Sequence, residues 1–252
     1  MPLRVLSYNI LDGGQERLPC IANVIRRSQP DAVALLEATS RPNAKWLARE
    51  LDMHLTFGEA NSEFSIAWLS RVPPVHVENR RLPILAKTLL EIELTWERAP
   101  VRLFATHLRA GREREHDLYR AEEMRAVLDV LRASNEVPHL LVGDLNTVSP
   151  ADPVGTPPAT AEVEDRGPGT SLLTRAVIPL LLEAGYVDCY RVRHSAEPGY
   201  TYQPPEPWLR LDYIFTSPHL TGRLQACDVV VDVEAAVASD HFPVWAEFRE
   251  GA

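Results

Sequence analysis

The chain of 252 residues fits one large domain or two small ones, and its 45% of apolar residues is enough for a sizeable core. Its formal net charge of −9, from 26 Lys and Arg against 35 Asp and Glu, excludes global steering towards bulk nucleic acid or anionic membranes but allows a local basic groove. The three scattered cysteines, Cys20, Cys189 and Cys227, exclude a disulfide framework and a cysteine metal motif and suit a reducing compartment.

The N-terminus runs directly into a strand-like segment, without the charged and apolar regions of a secretion signal. No apolar run is long enough to span a membrane, so we expect a soluble, cytoplasmic protein. No feature of the sequence indicates an obligate protein partner.

Short apolar runs bounded by turn residues predict the strands of the first half of the chain. These strands cover residues 3–10, 32–37, 64–71, 88–96 and 101–107. The last two form a hairpin, and the alternation of apolar and polar residues over 88–96 is typical of a half-solvated antiparallel strand. Helical spacing of apolar residues predicts helices over 15–28 and 42–51, the second capped by Ser40.

The second half opens with the longest predicted helix, over 112–132, whose apolar face includes Leu118 and Met124. A buried strand over 139–146 follows, then a loop over 149–169 that is rich in Pro, Gly and acids and is a candidate functional loop. The remaining predicted elements are a helix over 171–184 and strands over 210–216, 227–233 and 244–248. Roughly nine strands and four helices that do not alternate strictly favour an α+β fold with antiparallel or mixed sheets and helices outside.

Polar residues recur where these apolar strands begin or end. They are Asn9, Glu37, His107, Asp144, Asn146, Asp212, Asp240 and His241. Each has a structural alternative as a turn residue, a helix-approach residue or a satisfied core histidine. Because polar groups at strand ends can converge on one sheet edge, where ligands gather, the whole set predicts a site.

The chemistry of this set fits hydrolysis of a phosphate ester. Glu37, Asn9 and Asp240 offer the hard oxygen ligands that Mg²⁺ prefers, with Mn²⁺ as a substitute, and no thiolate or tight histidine cluster indicates zinc. Asp144 can orient or deprotonate a water, and the two histidines can hold phosphoryl oxygens. Either Asp212 or Asp240 can fix the tautomer of a histidine. The sequence has no nucleophile elbow, phosphate-binding loop with Lys or dinucleotide fingerprint.

Seven short motifs in order along the chain carry a family resemblance. They are Ser7-Tyr8-Asn9-Ile10, Leu36-Glu37, Leu69-Ser70-Arg71, Thr106-His107-Leu108, Gly143-Asp144-Leu145-Asn146, Arg210-Leu211-Asp212-Tyr213-Ile214 and Ser239-Asp240-His241-Phe242-Pro243-Val244. With them the chain resembles the endonuclease/exonuclease/phosphatase superfamily, which includes pancreatic-type deoxyribonucleases, exonuclease III-like enzymes, neutral sphingomyelinases and inositol polyphosphate 5-phosphatases. The resemblance implies a four-layer αββα sandwich of two packed mixed sheets, formed by residues 1–252 as a single domain.

The resemblance also implies divalent-metal-dependent phosphoester hydrolysis with assigned roles. Glu37 would be the principal metal ligand, with Asn9 beside it and Asp240 near the metal; the number of metal ions stays open. Asp144 would orient or activate the attacking water, supported by a phosphate-contacting Asn146.

The two histidines complete the roles that the resemblance implies. His241, paired with Asp212, would contact the scissile phosphate, and His107 would stabilise the phosphoryl group or assist the leaving group. Both His241 and Asp144 are candidates for the general base. One departure is Leu36, where many members carry Gln.

Candidate substrate contacts lie in two further segments. Arg109, Arg112 and Arg114 follow His107 and can clamp an anion at the cleft rim, although a solvated helix start also explains them. Tyr202 and Trp208 can stack on a base, lipid or sugar, with loop packing as the alternative.

Three functional hypotheses follow from these features. The first is a phosphodiesterase acting on nucleic acid or nucleotides, and the second is a hydrolase of small or lipid phosphoesters. The third is a non-catalytic binding module that retains the fold, which the intact polar set disfavours.

Overall fold

The structure, a computed structural model, describes residues 1–159 and 175–251, and the strands within them form two six-stranded sheets. The strands are β1 (Leu3–Asn9), β2 (Ala32–Leu36), β3 (His54–Gly58), β4 (Ile66–Ser70), β5 (His76–Arg80), β6 (Leu89–Trp96), β7 (Ala99–His107), β8 (His139–Asp144), β9 (Val187–Asp188), β10 (Asp212–Thr216), β11 (Leu224–Val229) and β12 (Val244–Phe248). The first sheet has the order β11-β12-β1-β2-β4-β3, and the second has the order β5-β6-β7-β8-β10-β9.

Helices cover the outer face of each sheet. The helical segments are a 3₁₀ helix (Asp12–Arg17), α1 (Leu18–Ser28), α2 (Arg41–Glu50), α3 (Arg114–Ala133), α4 (Val177–Glu183), α5 (Cys189–Arg193), α6 (Pro218–Thr221) and α7 (Val233–Ala238). Helices α1, α2 and α7 share an apolar core with the first sheet, and α3 and α4 share one with the second. A third core lies between the sheets. The predicted α+β architecture of four αββα layers is confirmed. No helix in these described ranges is long and apolar enough to cross a bilayer.

The central strands are buried on both faces, which explains their nearly continuous apolar sequences. In β1, Val5 faces the core between the sheets, whereas Leu6 and Tyr8 face helices α1 and α7. Strand β8 behaves in the same way, with Val142 facing the inter-sheet core and Leu141 facing α3. Because successive side chains point to opposite faces, each such strand contributes to two cores at once.

Each sheet contains one parallel pair of strands, and these pairs define the functional edge. Strand β1 runs parallel to β2, and β7 runs parallel to β8. The neighbouring strands β10 and β12 are antiparallel to β8 and β1, so they begin where β8 and β1 end. The carboxyl ends of both pairs and the starts of β10 and β12 therefore lie at one edge of the sandwich.

Several predicted boundaries are wrong in instructive ways. The helix predicted over 15–28 begins only at Leu18, because Gln15, like Gly13 and Gly14 before it, has a positive φ, of 36°, and belongs to the separate 3₁₀ segment. The strand predicted over 227–233 ends at Val229, since the Asp232 side chain accepts a hydrogen bond from Ala235 and starts α7.

Strand β6 is more buried than predicted, and its Glu91 is only 1% exposed.

Helix α3 buries a face that the apolar pattern does not predict. Leu118 is 49% exposed, whereas Asp117, Arg120 and Glu123 are fully buried. Arg120 donates to the carbonyls of Arg109 and Gly111, so this polar face holds the segment that follows β7.

The loop predicted over 149–169 is anchored at its start. Asp152 accepts hydrogen bonds from Arg210 and Arg191, both at 2.7 Å, and Arg210 also donates to Asp188 at 2.6 Å. Residues 160–174, which include the rest of that loop and the start of the helix predicted over 171–184, lie outside the described residues. The described part of that helix is α4.

The buried pairs of Arg210 predict a large stability effect. Arg210→Ala leaves Asp188 without its buried cation and Asp152 with Arg191 alone. We therefore expect a loss of about 3–5 kcal/mol in the free energy of unfolding, measured by urea denaturation. The control is Arg125→Ala, which breaks an exposed pair with Glu122 and should cost no more than about 1 kcal/mol. Equal losses in the two variants would contradict this prediction.

Candidate active site

A cavity of about 290 Å³ opens at the edge where the parallel pairs end. Its lining comprises Glu37, His107, Ala110, Gly111, Arg112, Asp144, Asn146, Val148, Tyr202, Leu209, Leu211, Asp240 and His241. Asn9 and Asp212 are buried directly behind it, each hydrogen-bonded to a lining residue. All eight polar residues predicted from the strand borders therefore meet at one place.

Asn9 links the carboxylates of the two sheets. Its side-chain nitrogen donates to Glu37 Oε1 at 3.1 Å and to Asp144 Oδ2 at 3.2 Å. Its side-chain oxygen accepts from the Leu11 amide, so the nitrogen faces the two acids. Glu37 sits at the end of β2 with a φ of 56°, a left-handed conformation that is uncommon for Glu and that aims its side chain at the cavity rim.

His241 is paired with Asp212 rather than with its sequence neighbour Asp240. Its Nδ1 lies 2.7 Å from Asp212 Oδ2, and its Nε2 lies 3.8 Å from Asp144 Oδ2. Burial lowers the pKa of His241, but the charges of Asp212 and Asp144 and the hydrogen bond outweigh it and raise that pKa to about 10. This environment therefore favours the protonated imidazole, whose Nε2 faces Asp144.

Asp144 lies between the two histidines. Its Oδ2 is 3.5 Å from His107 Nε2, and its Oδ1 accepts from the Asn146 amide at 2.9 Å. Burial, assisted by the charge of Asp212 and opposed by that of His241, raises the pKa of Asp144 to about 7. Gly143 precedes it because a Cβ at that position would lie 1.9 Å from the carbonyl oxygen of Thr106 on β7.

His107 and Asn146 hold each other in place on the opposite wall. The Asn146 side-chain nitrogen lies 3.0 Å from His107 Nε2 and 3.1 Å from the Leu108 carbonyl oxygen. Burial, reinforced by the charges of Lys87 and His241, lowers the pKa of His107 well below its ordinary value. The environment thus favours the protonated form of His241 and the neutral form of His107, on either side of Asp144.

Comparison with known proteins agrees with this geometry. The family model described as "Endonuclease/Exonuclease/phosphatase family" matches residues 6–241. The chain belongs to this family. A search of curated proteins finds no match.

Solved structures share the fold of this family member over nearly its whole length. An AP endonuclease from Archaeoglobus fulgidus matches with a TM-score of 0.76 and 19% identity, covering 98% of this chain and 100% of its own. An endonuclease/exonuclease/phosphatase from Beutenbergia cavernae matches with a TM-score of 0.75 and 25% identity, covering 100% of this chain and 72% of its own. A 3′ phosphatase from Neisseria bound to a product DNA hairpin has a TM-score of 0.73 and 20% identity, covering 98% of this chain and 100% of its own.

The donor set of this family member fits a hard divalent cation. Glu37 and Asp240 line the cavity with partly exposed carboxylates, next to the buried carboxylate of Asp144. Asp144, Asp212 and His241 also form a tight group of possible ligands, all within 4.8 Å of one another. Because His241 and Asp212 are engaged with each other, the oxygens of Glu37, Asp144 and Asp240 are the more available ligands.

The rim of the cavity differs from the sequence-based prediction. Arg112 lines the cavity and lies over the rings of Trp208 and Tyr202, at 5.3 and 5.8 Å. Arg109 lies instead over Tyr119 and donates to His116, and it does not line the cavity. Tyr202 packs against His241 with ring centroids 5.0 Å apart. Trp208 is 1% exposed and belongs to a buried apolar cluster, so it supports the wall from behind.

Sequence reasoning missed one charged residue behind the site, Lys87. It lies just before β6, is 5% exposed, and donates from Nζ to the Leu108 carbonyl at 2.9 Å. A lone lysine before a predicted strand carries no signal of its own. The chain has two lysines, Lys45 and Lys87, among many arginines, and this rarity alone distinguishes Lys87 in the sequence.

The pairing of His241 predicts a measurable change in its titration. Asp212→Asn removes the nearest negative charge, so we expect the pKa of His241 to fall from its raised value of about 10. The measurement is an NMR titration of the His241 ring protons. Asp129→Asn, at an exposed position on α3, is the control and should leave that pKa unchanged. An unaltered pKa in Asp212→Asn would refute the pairing.

Proposed function

We propose that this family member is a divalent-metal-dependent phosphodiesterase that catalyses in-line attack of water on phosphorus in nucleic acid or nucleotide substrates. The observation that carries this proposal is the convergence of Glu37, Asp144 and Asp240 with the His241–Asp212 pair at one cavity. Phosphoester hydrolysis requires carboxylates that can hold a cation, an acceptor for a water proton and a fixed positive donor.

The metal is assigned to the acidic rim of the cavity. Glu37 would be its principal ligand, with Asp240 nearby and Asn9 orienting the Glu37 carboxylate from behind. A bound Mg²⁺ or Mn²⁺ would act as a Lewis acid on a phosphoryl oxygen. Family membership supports such a metal.

Asp144 is the best candidate for the residue that orients or deprotonates the attacking water. Its carboxylate is fixed by the Asn9 side chain and the Asn146 amide, which leaves it rigidly aimed between the two histidines. His241 is bonded to Asp212 and faces a second acid, an arrangement that favours a protonated ring. We therefore assign His241 to hold a phosphoryl oxygen through Nε2–H, not to accept a proton.

His107 and Asn146 are assigned to the other side of the phosphoryl group. Their mutual hydrogen bond fixes both side chains at the cavity wall. We expect them to orient the phosphoryl group and to assist departure of the leaving group.

A second candidate function is hydrolysis of small-molecule or lipid phosphoesters. The cavity of about 290 Å³ and the net charge of −9 favour it over tight binding of a long polyanion. The same residues would carry the same chemistry on such a substrate.

The decisive experiment offers the purified protein with Mg²⁺ or Mn²⁺ a panel of substrates. The panel contains a chromogenic phosphodiester, a phosphomonoester, plasmid DNA, RNA and sphingomyelin. We expect turnover of diesters, abolished by EDTA and restored by adding the metal. Turnover confined to sphingomyelin or the monoester would favour the second candidate, and no metal-dependent turnover at all would favour a binding module.

Two substitutions test the assigned residues with the best substrate of that panel. We expect Asp144→Asn and His241→Ala to lower kcat at least about 10²-fold, because each removes a proton-accepting or charge-stabilising group. Circular dichroism and thermal melting verify that the variants fold. Turnover that survives in both folded variants would contradict the site assignment but not the family.

The rim predicts a substrate-binding effect at Arg112. Arg112→Ala removes the cation that lines the cavity beside Tyr202, so we expect KM to rise about tenfold with little change in kcat. Arg109→Ala is the matched control, three positions earlier but outside the lining, and should leave both constants unchanged. A rise in KM in Arg109→Ala but not in Arg112→Ala would instead support Arg109 as the anion-binding residue.

A further inference from the structure

A buried ammonium group lies behind the wall formed by His107 and Asn146. Lys87 is 5% exposed, and its Nζ donates to the Leu108 carbonyl oxygen at 2.9 Å. Its own backbone is held on both sides, because Ala86 donates to Glu123 and the Lys87 carbonyl accepts from Asn61. The side chain therefore extends from a fixed origin to the carbonyl of Leu108, directly after β7, with its Nζ 5.8 Å from the centre of the Phe64 ring.

Leu108 is a junction of the site. Its carbonyl shares a peptide group with the Arg109 amide, which donates to Glu123 Oε2 at 2.9 Å. The Leu108 amide donates to the Asp144 carbonyl oxygen at 3.0 Å. The Leu108 carbonyl oxygen accepts from Lys87 and also, at 3.1 Å, from the side-chain nitrogen of Asn146. The same nitrogen lies 3.0 Å from His107 Nε2. The orientation of the Leu108 carbonyl thus decides which way the Asn146 amide points, and with it the contact to His107.

A cation is a costly choice for this position, since a buried charge loses its hydration. Burial lowers the pKa of Lys87, and the charges of Asp144, Glu123 and Glu37 counteract that effect. Three acids around one lysine make a charged side chain tolerable there. A cation also binds a carbonyl more strongly than a neutral donor does.

We propose that Lys87 is a positioning residue, which fixes the Leu108 carbonyl and thereby holds the Asn146 amide on His107. The part of this inference that concerns catalysis rests on the proposed phosphodiesterase function. The structural part, that Lys87 holds the Asn146 side chain in place, is independent of that function.

The first test is independent of activity. In a ¹H–¹⁵N spectrum the side-chain amide pair of Asn146 is assigned by its loss in Asn146→Asp. We expect Lys87→Met to shift this pair and to speed its exchange with solvent, and Lys87→Arg to restore both. Lys87→Gln, which keeps a donor without the charge, should give an intermediate result. An unchanged Asn146 pair in folded Lys87→Met would overturn the proposal.

The second test measures kinetics on the chromogenic phosphodiester with Mg²⁺. We expect Lys87→Met to lower kcat about tenfold and to leave KM nearly unchanged, because the substitution removes a partner that supports a site residue. Lys87→Arg should recover most of the loss. The stability control is Met124→Ala, which leaves a cavity in the core beneath the same sheet. It should lower the melting temperature without changing kcat or the signals of the Asn146 side-chain amide.

The outcomes separate the two proposals. A wild-type protein without phosphoester turnover would refute the proposed function, whereas the Asn146 signals would still test Lys87. A kcat that does not change in Lys87→Met, or a Met124→Ala variant that reproduces both effects, would refute the positioning role and leave the proposed function intact.

Discussion

The site depends on one constraint, the presence of a parallel strand pair in each of two sheets that are packed face to face. Parallel strands end at the same edge, so β1 and β2 place Asn9 and Glu37 together, and β7 and β8 do the same for His107 and Asp144. Packing of the sheets then brings the two pairs within hydrogen-bond distance, as the bond from Asn9 to Asp144 shows. Neither sheet alone contains a complete site.

Burial of these polar groups has consequences for their charges. Removal from water favours the neutral form of every acid and imidazole, and each departure from that tendency needs a specific partner. His241 has such partners in Asp212 and Asp144, which raise its pKa, whereas burial and then the charge of Lys87 lower the pKa of His107. Two histidines from the two packed sheets thus acquire opposite protonation preferences, and this difference supports the separate roles proposed for them.

The sequence predicted the central parts of this fold well and its periphery poorly. The three strands that it missed, β3, β5 and β9, are all edge strands. An edge strand has a free side and can be short and polar, as in His76–Arg80, so it lacks the apolar run that marks a central strand. The polar residues at strand ends were predictable for the opposite reason, because each follows or precedes a largely apolar run. Lys87 and the buried polar face of α3 were not predictable, since tertiary contacts alone determine their burial.

The balance of charge at the cavity also bears on metal dependence. Glu37, Asp144, Asp212 and Asp240 contribute four negative charges when ionised. Lys87, Arg112 and the protonated form of His241 contribute three positive charges, which leaves a net charge of −1. A phosphodiester adds a further negative charge and would be repelled by this surplus. Burial raises the pKa of Asp144, with a smaller contribution from the charge of Asp212, so its ionised form also needs a nearby cation. A divalent cation on the oxygens of Glu37 and its neighbours would balance the surplus, and its charge would also favour the ionised form of Asp144. Metal binding and the readiness of Asp144 to receive a proton from water are therefore expected to be coupled.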